Sequence, residues 1–294
     1  MKDMQDTVLG VEGRKIAFTD IGDPQGTAVL FFHGAPMSRW NLVDQEERFA
    51  RAGLRVVSPD RPGYGGSTPV PGRSLTDWAR DTSALADALG IDRFLVAAHS
   101  SGGPYGAMVA ATLPDRVLGT VILGGVTDFS WEPAWEGYSE HESALMRLPD
   151  GDAAREWAVH TFGEDGSGLP RSSAPRPEPD RKLFAEHHVP WLASATKEAF
   201  RQGIGGYAQD AWIQSRPWDF DPSAVAAPFL VVHGLEDTVV PITHSRHTTT
   251  LVPGAELREL PDHGHVTVLW ELPKLLTELR ERPRTRSRPG TGRP

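Results

Sequence analysis

The sequence predicts an α/β fold built on a mostly parallel β-sheet, and three observations carry that prediction. Short β-branched and aromatic runs alternate with longer segments of helical periodicity. Most of the runs are near-continuous in apolar residues, as strands covered by helices on both faces should be. The helical segments also follow strands at the spacing a crossover connection needs.

Taken in order, residues 7–9 and 14–20 are candidates for an antiparallel edge at the N-terminal side. The strands proper are expected at 28–32 (Ala-Val-Leu-Phe-Phe), 54–58, 94–98, 117–124, 229–233 and 256–260. Helices are expected at 39–52, at 74–89 with Asp77, Asp81 and Asp87 on its polar positions, at 101–112 and at 266–281. Between Gly125 and Pro228 the alternation stops for about a hundred residues, where helical pieces occur without a buried strand. The expected organisation is therefore a core formed by 1–125 and 228–279, interrupted by a helical insertion at 126–227. Six of the nine tryptophans fall in that insertion (Trp131, Trp135, Trp157, Trp191, Trp212 and Trp218), which marks it as a packed subdomain. Residues 280–294 hold six Arg and one Glu among Pro, Gly, Ser and Thr, and are expected to be a disordered basic tail.

The composition narrows the function. The chain has 294 residues, 39% hydrophobic and 23% charged, with 30 Lys plus Arg against 39 Asp plus Glu. The net charge of −9 argues against a general nucleic-acid surface. With no cysteine, disulfides, thiolate nucleophiles and Cys-ligated metals are excluded. No apolar stretch approaches the ~20 residues needed to cross a bilayer, and the first residues lack an apolar signal core. The expectation is a cytoplasmic protein acting on a small molecule, without a membrane or nucleic-acid partner.

Four segments carry chemistry. Ala98-His99-Ser100-Ser101-Gly102 lies where a strand gives way to a helix. Ala98 and Gly102 supply the small residues that a tight turn needs on either side of an exposed serine; Ser101 fails the same test because His99 stands two residues before it. His33-Gly34-Ala35-Pro36 follows another strand, so the N–H groups of Ala35 and Ser101 are candidates for holding an oxyanion. Asp237, just past the strand at 229–233, is the candidate carboxylate; Asp128 is the alternative, and Glu236 should point away. His265 is the candidate base, with His263 as its alternative. The chain order Ser100, Asp237, His265 is one of the known triad arrangements. His33 is read as holding its loop, and also counts with Trp131, Trp135 and Trp212 among the candidate substrate contacts. Tyr105 reads as helix packing, the loop 60–67 as a rigid turn, and His187, His188, His244 and His247 as surface residues.

On these motifs, together with Asp60-Arg61-Pro62-Gly63-Tyr64-Gly65-Gly66-Ser67, the stretch from about Gly13 to Leu279 resembles the α/β-hydrolases that carry a helical cap. The departure is Ala98, where glycine is usual. The resemblance implies serine-dependent hydrolysis without metal or cofactor, most simply of a carboxylic ester, with thioesters, lactones and small amides as further substrates. A same-fold perhydrolase, lyase or acyltransferase would use the same Ser100, and a non-catalytic sensor would be expected to lack part of the triad. Epoxide hydrolysis and dehalogenation are disfavoured, since they need a carboxylate where Ser100 stands. The oligomeric state is not written in these motifs.

Overall fold

Alternating side chains along the apolar strands face opposite sides, and the fold builds one core on each. The computed structural model describes residues 7–170, 176–186 and 190–282. Its sheet has eight strands in the order β1-β2-β4-β3-β5-β6-β7-β8. β1 (Thr7–Val11) and β2 (Arg14–Gly22) form the antiparallel edge, and β2 also runs antiparallel to β4. β3 (Thr27–Phe32), β4 (Leu54–Pro59), β5 (Phe94–His99), β6 (Val117–Leu123), β7 (Phe229–Gly234) and β8 (Glu256–Leu260) pair in parallel.

One face of the sheet packs Leu30, Phe32, Val96 and Ile122 against α2 (Asp77–Ala88) and α3 (Gly103–Thr112). The other packs Val29, Phe31, Leu95 and Val121 against α1 (Glu46–Arg51) and α10 (Leu272–Glu281). Helix α3 is buried from Gly103 to Ala111, in keeping with a sequence of small and apolar residues broken by one polar group, the hydroxyl of Tyr105. Helix α10 instead buries one stripe, Leu272, Leu275, Leu276 and Leu279. Each such leucine contributes about 1.5–3 kcal/mol by leaving water, so a charge at Leu276 would break the packing of this helix.

Several boundaries differ from expectation. The segment 39–45 is a 3-10 helix that only then becomes α1, and 3-10 turns likewise precede α3 and α10. Helix α2 begins at Asp77, after Asp77 itself accepts from the Ser74 N–H at 2.8 Å. Asp81 is buried rather than on a solvated face, because α2 lies against the N-terminal edge and Asp81 pairs with Arg14 at 2.5 Å. A further helix, α9 (Ile242–Leu251), joins β7 to β8; its sequence is half β-branched and gives little helical signal. His244 on α9 is fully buried, where Nδ1 accepts from the Thr127 N–H at 3.1 Å, and His247 is partly buried under Trp131. Neither is the surface residue expected; His187 and His188 lie outside the described residues.

Between β6 and β7 stand α4 (Glu140–Met146), α5 (Gly151–Phe162), α6 (Glu178–Glu186), α7 (Pro190–Ala199) and α8 (Gly205–Gln214), with no strand among the described residues. Leu145, Ala154, Ala158, Phe162, Ile204 and Tyr207 give these helices a small core of their own, which also takes in Tyr64. At the far edge, β8 bonds only β7, and its charges are paired: Glu256 with Arg282 at 2.6 Å, Arg258 with Glu278 at 2.8 Å, Glu259 with Arg246 at 2.8 Å. Arg280 and Glu281 end α10, and Arg280 donates to the carbonyls of Ala52 and Gly53, so the first three residues of the expected tail are ordered. The remainder, 283–294, lies outside the described residues, as do 171–175 of the insertion.

Candidate active site

Parallel strands deliver their C-terminal ends to one edge of the sheet, and the chemistry-bearing side chains collect there. Ser100 follows β5 immediately, at φ +55°, a left-handed conformation that costs a non-glycine residue about 1–3 kcal/mol and persists only where its surroundings enforce it. The enforcement is visible. A side chain at Gly102 would stand 2.2 Å from the Phe32 carbonyl oxygen, so only glycine lets the turn lie against β3. The extra methyl of Ala98 is accommodated by Gly106 on α3, where any Cβ would come within 2.8 Å of it.

Asp237 and His265 are brought together by the ends of β7 and β8. His265 Nδ1–H donates to Asp237 Oδ2 at 2.7 Å, while Asp237 Oδ1 accepts from the N–H groups of Val239 (2.8 Å) and Val240 (3.0 Å). Burial opposes ionisation of Asp237, yet the His265 ring, then His233 and the Val240 N–H, outweigh it and hold the carboxyl below its usual range. Burial likewise works against a charged His265, but Asp237 prevails and its pKa is raised above 6.5. The Nδ1 bond leaves Nε2 as the acceptor of neutral His265.

The strand end bearing Ser100 is tied to this pair. His99 lays its ring 4.6 Å from that of His265, and its Nε2–H donates to the His265 carbonyl at 2.9 Å. Burial, and then the nearby His265, push the His99 pKa down to about 3, so it is neutral. The alternatives lie elsewhere. Asp128 accepts from the backbone of Ser130 and Trp218, His263 donates to the Pro261 carbonyl at 2.8 Å, and Glu236 is exposed.

The loop after β3 forms the opposite wall. His33 is fully buried; its Nδ1–H donates to the Gly34 carbonyl at 2.8 Å, and its ring meets Tyr64 edge-on at 5.1 Å. Burial, followed by the Arg61 charge, holds its pKa well below 6.5. Ala35 follows, packed against the insertion's core. The loop after β4 is a rigid turn: Asp60 accepts from the Arg39 and Gly66 N–H groups and pairs with the Arg39 guanidinium.

Sequence reasoning missed a buried cluster behind these two walls. Arg61 Nε donates to Asp210 of α8 at 2.5 Å, and its Nη groups reach the His33 carbonyl and Ser101 Oγ. Arg73 also pairs with Asp210, and Tyr105 OH donates to Asp210 Oδ1 at 2.8 Å. Burial raises the Tyr105 pKa to about 12. Gln214, one turn beyond Asp210, donates to the Ser101 carbonyl at 3.0 Å. The available signal was the position of Asp210 on the same helical face as Tyr207, Ile213 and Gln214.

The tryptophans lie further out. Trp131 stacks on His247 with centroids 4.0 Å apart; Trp135 packs on Phe129, donates to its carbonyl at 3.0 Å, and carries Arg147 on its face. Trp212 donates to the Leu148 carbonyl and lines a cavity of about 710 Å³ with Gly63, Arg155 and Gln209, a lining that does not include Ser100, Asp237 or His265. Among the described residues no group of three or more His, Cys, Asp or Glu could hold a metal ion, and no helix is long and apolar enough to cross a membrane.

The profile of the α/β-hydrolase fold matches residues 27–272. A non-heme haloperoxidase of Rhodococcus erythropolis is 30% identical over 274 residues, spanning 89% of this chain and 93% of the relative. A bifunctional esterase/perhydrolase of Acinetobacter calcoaceticus is 27% identical over 264 residues, spanning 86% and 90%. A thermophilic esterase from Thermogutta terrifontis, in a malate-bound structure, superposes with a TM-score of 0.66 at 24% identity, covering 93% of this chain and 94% of the other, a likeness of fold.

Proposed function

Because the chain belongs to the α/β-hydrolase fold family, we propose that it is a serine hydrolase that cleaves a carboxylic ester through an acyl-enzyme on Ser100. The observation that carries the reading is the 2.7 Å bond from His265 Nδ1–H to Asp237, which leaves Nε2 free to act as a base beside the β5 end that presents Ser100.

In the first half-reaction His265 Nε2 takes the Ser100 hydroxyl proton as Oγ bonds to the acyl carbon, and the N–H groups of Ala35 and Ser101 hold the developing oxyanion. Asp237 stabilises the imidazolium without taking its proton. Collapse breaks the ester C–O bond, and the imidazolium protonates the leaving alcohol. Water, deprotonated by the same nitrogen, then attacks the acyl carbon, releasing the acid and restoring Ser100. Thioesters, lactones and small amides follow the same course. Of the side chains expected to favour an apolar or aromatic substrate group, Trp131 and Trp135 are engaged on His247 and Phe129, Trp212 lines a cavity that does not include Ser100, and His33 is fully buried, so the nature of the acyl group rests on an ester series and not on these rings.

A second reading is supported by the names of two relatives, a haloperoxidase and an esterase/perhydrolase. There hydrogen peroxide replaces water in the second half-reaction: deprotonated by His265 it attacks the acyl carbon, the bond to Ser100 Oγ breaks, Oγ takes back the proton, and the acyl group leaves as a peracid. The test is turnover of p-nitrophenyl esters from acetate to long acyl chains, with Ser100→Ala as the blank and hydrogen peroxide as an added nucleophile. A length optimum lost in the variant supports the hydrolase. No turnover of any member, together with no labelling of Ser100 by a fluorophosphonate, overturns it. Peracid formation exceeding acid formation selects the second reading.

A further inference from the structure

Asp180 lies on α6 of the insertion, yet it is only 2% exposed, and its carboxylate is seated on the turn that leaves His265. Oδ1 accepts from the Thr267 N–H at 2.9 Å and the Thr267 hydroxyl at 2.8 Å, and both oxygens lie 3.3 Å from the Val266 nitrogen. Thr267 Oγ1 in turn accepts from the Gly264 N–H at 2.7 Å. The contact also covers Gly264 directly: a Cβ there would stand 2.6 Å from Asp180 Oδ2 and 2.7 Å from Pro177. The residues on both sides of His265 are therefore held by one carboxylate from the insertion.

We propose that Asp180 is a positioning residue for His265, fixing the backbone on either side of the base so that its ring is presented between Asp237 and Ser100. The inference rests on the reading of His265 as the general base. Asp237 controls the ring through Nδ1, whereas Asp180 controls the backbone and bonds no ring atom. A carboxylate that accepts from two N–H groups and a hydroxyl is compensated for its burial, which is why it can sit in a protein interior.

Position and charge are separable. The charged or titratable groups facing His265 are Asp237 and His233 from the β7 end, His99 from β5, Glu142 from α4 and Asp180 from α6. Asp180 and Glu142 both favour the imidazolium, so removing one anion should lower the pH at which His265 titrates.

The experiment compares Asp180→Asn, Asp180→Ala and Thr267→Val with wild type and His265→Ala. The readouts are p-nitrophenyl ester kinetics, fluorophosphonate labelling rate and thermal melting. Expected are a fall in kcat and labelling rate of about tenfold to a hundredfold in Asp180→Ala, with KM within about twofold, as a displaced catalytic group requires. Asp180→Asn should keep more of the rate and move the acid limb of kcat/KM to lower pH, while Thr267→Val should fall between wild type and Asp180→Ala. The proposal is overturned if folded Asp180→Asn and Thr267→Val melt lower but keep wild-type kcat, labelling rate and pH limb, the pattern of a purely structural contact. Should His265→Ala retain wild-type turnover, it is the reading of His265 as base that fails, an outcome distinct from any change at Asp180.

Discussion

Arg61 and Asp210 are 149 residues apart in sequence and meet at 2.5 Å, one from the loop after β4 and the other from insertion helix α8. Both are buried, and the same guanidinium touches the His33 carbonyl and Ser101 Oγ. A single charge pair thus joins the insertion to the two segments whose N–H groups are proposed to hold the oxyanion.

Asp210→Asn should destabilise the protein severely, by about 3–5 kcal/mol, because Arg61 and Arg73 would be left buried without their shared counter-ion. Chemical denaturation measures this. A loss under about 1 kcal/mol would show that the two arginines find other partners.

Ser100→Ala and His265→Ala should each lower kcat/KM by about 10⁴-fold or more, since the members of such a triad act as a unit. Asp237→Asn should cost less than Ser100→Ala and still be severe, because an amide on Nδ1 no longer fixes the imidazole tautomer. Steady-state ester kinetics separate these cases. A harmless Asp237→Asn beside a crippling Asp128→Asn would move the acid to the other strand end.

The pH dependence follows from the raised pKa of His265. Its neutral form is the base, so kcat/KM should be full at alkaline pH and fall about tenfold per unit once the pH drops below a midpoint lying above 6.5. A pH–rate profile with a midpoint clearly under 6.5 would mean that Asp237 does not act on His265 in solution.

Gly106→Ala should cost about 1–3 kcal/mol, because its Cβ would come within 2.8 Å of both the Ala98 methyl and Ile122 Cδ1. Replacing Ala98 by glycine in the same chain removes one of the two clashes and should recover part of the loss. Thermal melting of the single and double variants tests the pairing.

What could be read from the sequence depended on whether the cause was local. Strands β3 to β7 announce themselves because apolar residues dominate where both faces are covered, with few interruptions such as Arg55 and Thr120. The turn at Ser100 is legible because crowding demands small residues two positions away on each side. Helix α9 is hidden because Thr, Ile and His are indifferent helix formers, and its stability comes from the burial of His244, Ser245 and Thr248. Asp81, Asp180 and Asp210 look like ordinary acidic positions on helices. Their burial is decided by Arg14, Thr267 and Arg61, whose approach no spacing rule supplies.

The charged strand β8 bears on how molecules meet one another. An outermost strand offers unpaired backbone groups to any extended chain, and apolar edges of that kind nucleate aggregation. Here Glu256, Arg258 and Glu259 are already engaged by Arg282, Glu278 and Arg246. An incoming strand would have to dehydrate or displace those pairs before gaining hydrogen bonds, so this margin of the sheet discourages growth into a continuous intermolecular ribbon.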